Sequence, residues 1–419
     1  MGQSDPSRIY LDHAATSWPK PAEVIRAATD FIVNSGASAG RGGYRRAIDA
    51  QRHVTGLRRQ LANQVNVRRD DCITIHSGCT AALNIAIHGL IPSAAPGGPH
   101  AGGGIVGPGD HVLATAAEHN AVLRPLQVAT RRVGARLEVI DCDRNGRVDP
   151  ADLRAAVTPA TKLVAVTFAS NVTGCIQPIG DIAEALNRPN RQRDPGDRIR
   201  LLCDAAQGFG YLPIDVDRLS IDILAAPAHK GSEGLPGAAM LYLHPDLHTL
   251  IQPPFQGGTG HDGRDWEMPA QMPGRLEPGT WNLPAIAAWQ AALTQHAKSA
   301  DGSADKLRHL ASRLRSGLKR IPDCEVYGCT DALPIASFRL KSGLPPDEIA
   351  AILDVEFGIE VRAGYHCAAA IHRCLGTSEG GTVRISAGHT TTADQIDAAV
   401  DAVAEIAAHC TSSGHDSSR

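Results

Sequence analysis

Cys72-Ile-Thr-Ile-His76 is a short apolar run, and the stretch Thr80 to Leu90 behind it reads as a helix, with Ser77-Gly78-Cys79 as the turn between them. One strand feeding one helix is a βα unit. Working outward, strand signals recur at His111 to Thr115, Arg136 to Ile140, Leu163 to Phe168 and Ile199 to Cys203, each followed by a turn and a polar or helical segment. Repeated βα units predict an α/β fold, a mostly parallel sheet covered by helices on both faces. Ile91 to Asp110, rich in Gly, Pro and Ala, and the charged stretch Arg188 to Arg198 interrupt the rhythm and read as surface insertions.

A chain of 419 residues is too long for one small core, so more than one domain is expected. From Trp289 to about Leu318 the composition turns to Ala, Leu, Lys and Arg, followed by strand signals at Cys324 to Tyr327 and Ile335 to Leu340. This predicts an N-terminal segment over 1–25, a large domain over 26–285, a smaller α+β domain over 286–410 and a flexible tail over 411–419. With 41 basic and 44 acidic residues there is no broad positive field for nucleic acid. Arg58-Arg59, Arg68-Arg69 and Arg131-Arg132 read as solvated faces. Met1 to Arg8 lacks a charged-then-apolar signal pattern and no apolar run approaches the roughly 18 residues that span a bilayer, so a cytoplasmic protein without membrane contact is expected. The ten cysteines show no disulfide spacing, and most read as small buried hydrophobes.

Lys230 stands between two apolar runs, Asp222 to Ala226 and Ala238 to Leu243, behind Pro227-Ala-His229. Burial there lowers a lysine pKa and suits it to attack an aldehyde cofactor; a strand-end lysine reaching solvent fits the segment equally well. Asp204 follows the strand Ile199 to Cys203, where open α/β sheets bind ligands, and Gln207 lies three residues on. A carboxylate there can hold the proton on a pyridine nitrogen, so Asp204 and Lys230 fit one cofactor. Asp204 as a helix N-cap is the alternative.

Asp204-Ala-Ala-Gln207 with His229-Lys230 resembles the cysteine desulfurase family of class V, fold type I pyridoxal-phosphate enzymes. The resemblance extends through Tyr10-Leu-Asp-His-Ala-Ala-Thr16, Gly40-Arg-Gly-Gly43, Ser77-Gly-Cys-Thr80, Glu118-His119-Asn120, Ser170-Asn171-Val-Thr-Gly174, Glu277-Pro-Gly-Thr280, Gly364-Tyr-His-Cys367 and Val383-Arg384-Ile-Ser386, in family order over nearly the whole chain. It implies a large, mostly parallel seven-stranded sheet domain with a smaller α+β C-terminal domain, and pyridoxal 5'-phosphate as cofactor.

The resemblance implies that Lys230 carries the cofactor and then moves a proton at the substrate Cα. His119 would stack on the cofactor ring, Gln207 would bond its phenolic oxygen, and Asn171 would help hold cofactor or substrate carboxylate. Cys79, Thr80 and His229 would meet the phosphate, with Thr280 reaching the phosphate of a neighbouring subunit in a homodimer with shared active sites. Arg384 would clamp the substrate carboxylate near Ala15. Cys367, flanked by His366 and near Arg362, would be the thiolate that takes sulfur from L-cysteine as a persulfide, leaving L-alanine. The compact loop between Cys367 and Arg384 resembles the group served by a sulfur-acceptor protein or thiol. Two departures stand out: Pro227 where the family commonly has serine, and Tyr44 where related sequences often carry histidine. The rival readings are selenocysteine lyase or another class V aminotransferase or lyase, and a non-catalytic scaffold or sulfur-relay protein. His366, Cys367, His372 and Cys374 lack ligand spacing, and no metal is expected.

Overall fold

The computed structural model describes residues 8–40, 42–92, 103–259, 266–298 and 303–416. Its strands are β1 (Ile9–Tyr10), β2 (Ile73–His76), β3 (His111–Thr115), β4 (Arg136–Ile140), β5 (Thr161–Thr167), β6 (Arg200–Asp204), β7 (Ile223–Pro227), β8 (Ala239–Leu243), β9 (Cys324–Tyr327), β10 (Ile335–Leu340), β11 (Ile359–Glu360), β12 (Arg362–Gly364) and β13 (Thr382–Ser386). Seven of them form one sheet in the order β2-β8-β7-β6-β5-β3-β4, parallel except for β8, which runs against both neighbours. Alternate residues serve opposite faces. Val164 and Val166 join Leu201, Cys203, Leu224, Ala226, Met240 and Tyr242 in one apolar cluster, whereas Leu163, Ala165, Leu202, Ile223, Ala225, Leu241 and Leu243 enter a second. Burial on both faces explains why these strands read as continuous apolar runs.

β12, β13, β10 and β9 form a four-stranded antiparallel sheet, packed with helices Ser303–Lys319, Pro346–Phe357 and Ala393–Asp416. β1 pairs in parallel with β11, and Leu11 is buried in the apolar cluster of this second sheet. The fold is thus the fold type I architecture expected: a large, mostly parallel seven-stranded sheet and a small antiparallel one.

Three details differ from the reading of the sequence. Helix Leu283–Lys298, assigned by composition to the C-terminal region, packs on the large sheet, because Trp289, Ala292 and Leu293 are buried in its core and Trp289 Nε1 donates to Ser232 Oγ at 2.9 Å. The last helix continues past Thr411 to Asp416, with Thr411 Oγ1 bonded back to the Ala407 and Ala408 carbonyls. Arg58 is not a solvated residue. It lies buried with Glu277 in a two-pronged pair, Nη1–Oε1 2.8 Å and Nη2–Oε2 2.9 Å, while Glu277 Oε1 also accepts from the Ile75 amide. This pair ties helix Arg45–Gln64 and β2 to the Glu277-to-Thr280 segment. Arg58→Met strands a buried carboxylate and is expected to cost about 3–5 kcal/mol, read as a lower urea midpoint. Residues 93–102 of the first insertion and Arg41 of the Gly40-to-Gly43 motif lie outside the described residues.

Candidate active site

The strand ends of the large sheet converge on a cavity of about 360 Å³. Turns after β2 contribute Ser77 to Thr80, after β3 His119, after β5 Ala169 and Asn171, at the end of β6 Asp204 with Ala206 and Gln207, and after β7 His229 and Lys230; Ala14, Ala15, Arg362, His366 and Arg384 close it from the N-terminal segment and the smaller sheet. This is the edge at which open α/β sheets bind ligands. A helix begins at Cys79 with no side chain capping it, so its first amides, with the Thr80 hydroxyl beside them, offer an anion site.

Electrostatics separate the groups. Burial pushes the Lys230 amine below its ordinary pKa; Asp204 and Cys79 pull it back up, and Arg384 and Arg362 push it further down. Asp204 is almost fully buried, its Oδ1 accepting from the Ala206 amide at 2.9 Å and from Cys79 Sγ at 3.8 Å. Burial holds the Cys79 thiol well above its usual value, so it stays neutral. His119 caps helix Asn120–Val133 by accepting from the Ala121 amide at Nδ1, 3.0 Å, and burial lowers its pKa, so the ring is neutral with its proton on Nε2. Burial pushes the neighbouring Glu118 carboxyl up to about 8. Its Oε1 accepts from Thr115 Oγ1 at 2.6 Å and the Thr167 amide at 2.7 Å, and Oε2 is buried without a partner. A carboxyl whose folded pKa is raised stabilises the fold fully below the unfolded value of 4.5 and loses that contribution as pH rises through about 8. Glu118→Gln is therefore expected to flatten the fall of the urea midpoint across that window.

Arg384 on β13 is fully buried. Nη1 donates to the Asn171 carbonyl at 2.9 Å, Nη2 pairs with Asp12, and Nε has no partner. Cys367 is exposed and sits just outside the cavity on a turn where both His366 (φ 49°) and Cys367 (φ 59°) are left-handed, a costly conformation for side chains of this kind. The turn is held by Asn171 Nδ2 donating to the His366 carbonyl at 2.6 Å and by the Asn120 amide donating to the Cys367 carbonyl at 2.8 Å. Arg362 Nη2 lies 3.5 Å from Cys367 Sγ. His366, which flanks the thiol in sequence, supplies no charge there: it is buried, its pKa is pushed down to about 2, and Nε2 donates to the Thr382 carbonyl at 3.1 Å. The positive neighbour of the thiol is Arg362.

Of the residues singled out in the sequence, Cys79, Thr80, His119, Asn171, Asp204, Gln207, His229, Lys230, Arg384 and Ala15 all line the cavity. Thr280 does not. It is exposed in a second cavity with Glu277 and Trp281, which shares Ser77 and Gly237 with the first. Pro227 ends β7 in register with Ala239 and lines the first cavity. Asp12, the partner of Arg384, was not singled out, although it stands in the Tyr10-to-Thr16 motif. The buried Gln207 Oε1 and His229 Nδ1 have no hydrogen-bond partner. Such orphaned groups, a buried amine, a buried carboxylate and an uncapped helix start fit a phosphorylated pyridine aldehyde.

The sequence profile of class V aminotransferases matches residues 9–399, and the chain belongs to that family, whose members depend on pyridoxal phosphate. A probable cysteine desulfurase of Methanothermobacter thermautotrophicus is 30% identical over 407 residues, covering 95% of this chain and 94% of that one. A cysteine desulfurase of Cronobacter sakazakii is 29% identical, covering 95% and 93%. Among solved structures, the apo cysteine desulfurase of Thermococcus onnurineus superimposes with a TM-score of 0.85 at 26% identity, covering 96% of this chain and 95% of that one. The Escherichia coli cysteine desulfurase CsdA, in an S-sulfonic acid form, gives 0.83 at 26%, covering 97% and 96%. The chain is a class V pyridoxal-phosphate enzyme related to cysteine desulfurases.

Proposed function

We propose that the chain is an L-cysteine desulfurase that takes the sulfur of free L-cysteine onto Cys367 as a persulfide, releases L-alanine and passes the sulfur to a thiol acceptor. The observation that carries this reading is the exposed Cys367 thiol, held on a strained and tethered turn beside a cavity containing a buried lysine.

Pyridoxal phosphate, when bound, supplies an electron sink conjugated to the substrate Cα. Lys230 would hold it covalently and would move the proton at the substrate Cα; burial lowers the amine's pKa toward the neutral form that both tasks need. Asp204 would hold the proton on the pyridine nitrogen, His119 would lie against the ring and Gln207 would meet the phenolic oxygen. The amides of Cys79 and Thr80, the Thr80 hydroxyl and His229 would receive the phosphate. Arg384 offers its unpartnered Nε–H to the substrate carboxylate beside Ala15, and Asn171 holds both Arg384 and the Cys367 turn. The Cys367 thiolate attacks the substrate sulfur beside Arg362. The new S–S bond forms as the substrate C–S bond breaks, and the electron pair left on the carbon side takes up a proton to give alanine.

Exposure of Cys367 suits transfer to an acceptor protein or small thiol, and the exposed Thr280 suits reaching the phosphate of a neighbouring subunit in a homodimer. Arg384→Lys keeps a charge but loses the planar fork and is expected to raise KM for L-cysteine about 10- to 100-fold with a smaller fall in kcat. The reading itself is tested by mass spectrometry of the Cys367 peptide after a brief pulse of L-cysteine without reductant. One added sulfur on Cys367 supports it. Alanine formed with Cys367 unmodified throughout means that the sulfur leaves by another route.

A further inference from the structure

Behind the turn that carries Lys230, a second group of side chains converges that the desulfurase reading does not use. Glu233 closes that turn, its amide donating to the Lys230 carbonyl at 2.9 Å. It is 8% exposed and left-handed, φ 56°, a conformation that glycine adopts without cost and glutamate does not. Retaining a glutamate there, with its carboxylate buried, asks for a compensating interaction of that carboxylate.

Two histidines from distant segments meet it. His296, near the end of helix Leu283–Lys298, has Nε2 3.0 Å from Glu233 Oε2. His389, five positions after Arg384, crosses the His296 ring edge-on with centroids 4.8 Å apart. The donor atoms of Glu233, His296 and His389 all lie within 4.8 Å of one another, the one such group of three or more His, Cys, Asp or Glu among the described residues. Tetrahedral zinc with bonds of about 2.0–2.1 Å sets neighbouring ligands about 3.4 Å apart, a modest side-chain adjustment from this arrangement.

The surroundings suit ligation. His389 Nε2 donates to the carbonyls of Gly210 and Gly231, both at 3.1 Å, which fixes the orientation of the ring. A backbone carbonyl holding the far side of an imidazole is the usual outer support of a ligating histidine. Lys20 and His13 also face the cluster. Lys20 bonds the His229 carbonyl at 3.0 Å, and burial pushes its pKa to about 8 and that of His13 to about 4.

We propose that Glu233, His296 and His389 form a binding site for one zinc-class divalent metal ion, with water completing a tetrahedron. Two imidazoles and one carboxylate are the donor set that zinc favours over magnesium or calcium, which take oxygen ligands. The ion would join three segments: the turn of Lys230, the helix Leu283–Lys298 and the segment leading out of the Arg384 strand. Its role is to fix the lysine turn against the smaller sheet. The inference is independent of which class V reaction the enzyme performs.

The test uses the pyridoxal-phosphate-loaded enzyme carrying Cys367→Ser, stripped with EDTA, equilibrated with zinc sulfate in thiol-free buffer and passed through gel filtration for elemental analysis. One zinc per chain is expected, with a thermal midpoint that rises on zinc addition and returns with EDTA. Glu233→Gln, which keeps the shape of the side chain, and His296→Ala, whose ring is partly exposed, are each expected to weaken zinc binding by ~100-fold or more while retaining the cofactor absorbance. Absence of zinc from the cofactor-loaded parent overturns the proposal. Uptake that persists in both variants also overturns it, and loss of that uptake on Cys142→Ser/Cys374→Ser would place the metal on thiols instead.

Discussion

Lys230→Ala is expected to abolish covalent attachment of pyridoxal phosphate, so that borohydride no longer fixes the cofactor to the chain, and to reduce alanine formation by on the order of 10⁴-fold or more. The size follows from the two tasks assigned to one amine. The side chain enters a cavity that it shares with the Asp204 carboxylate, the Cys79 thiol, the His119 ring and the Arg362 and Arg384 guanidinium groups, and no second lysine lines that cavity. Asp204, Gln207 and the helix start at Cys79 remain in the variant, so pyridoxal phosphate should still bind non-covalently. Retained binding with lost turnover separates Lys230 from a merely structural lysine. An added small primary amine should restore part of the rate by taking the place of the missing side chain.

Cys367→Ala is expected to reduce alanine formation from L-cysteine by on the order of 10³-fold or more while leaving cofactor absorbance and substrate binding in place. The thiol lies outside the cavity lining and its carbonyl, not its side chain, holds the turn to the Asn120 amide. Removing Sγ therefore removes the proposed nucleophile and its contact with Arg362 Nη2 while the tethers on the His366 and Cys367 carbonyls stay. Cys79 and Cys203 cannot substitute from their positions: Cys79 is a buried neutral thiol against Asp204, and Cys203 is buried inside β6. Arg362→Ala should produce a milder loss in the same step, because Arg362 is the cationic neighbour of the sulfur.

The large sheet was legible because burial on both faces writes uninterrupted apolar runs into β3 and β5 to β8, and the strands fall within two residues of their expected places. The site was legible where strand ends carry its residues: Asp204 closing β6 and Lys230 after β7 need no long-range knowledge to be suspected. What escaped the reading depends on contacts across the chain. Arg58 looks like any basic helix residue until Glu277, 219 positions away, is seen beside it. His366 looks like a positive neighbour of Cys367 until the packing against Thr382 and Arg384 shows a buried neutral ring. Asp12 carries no local signal of its pairing with Arg384, and the helix Leu283–Lys298 is apolar on too many sides for its composition to say which sheet it covers. The meeting of Glu233, His296 and His389 joins three segments whose spacing matches no ligand motif.

The central claim, that this class V scaffold removes sulfur from L-cysteine through Cys367, is tested most directly by measuring L-alanine formed from L-cysteine with a reductant present, comparing the parent chain with Cys367→Ala after both have been loaded with pyridoxal phosphate. Sustained alanine formation by the parent and almost none by the variant is the expected result. Equal rates from the two, or no alanine from a parent that holds its cofactor, would contradict it.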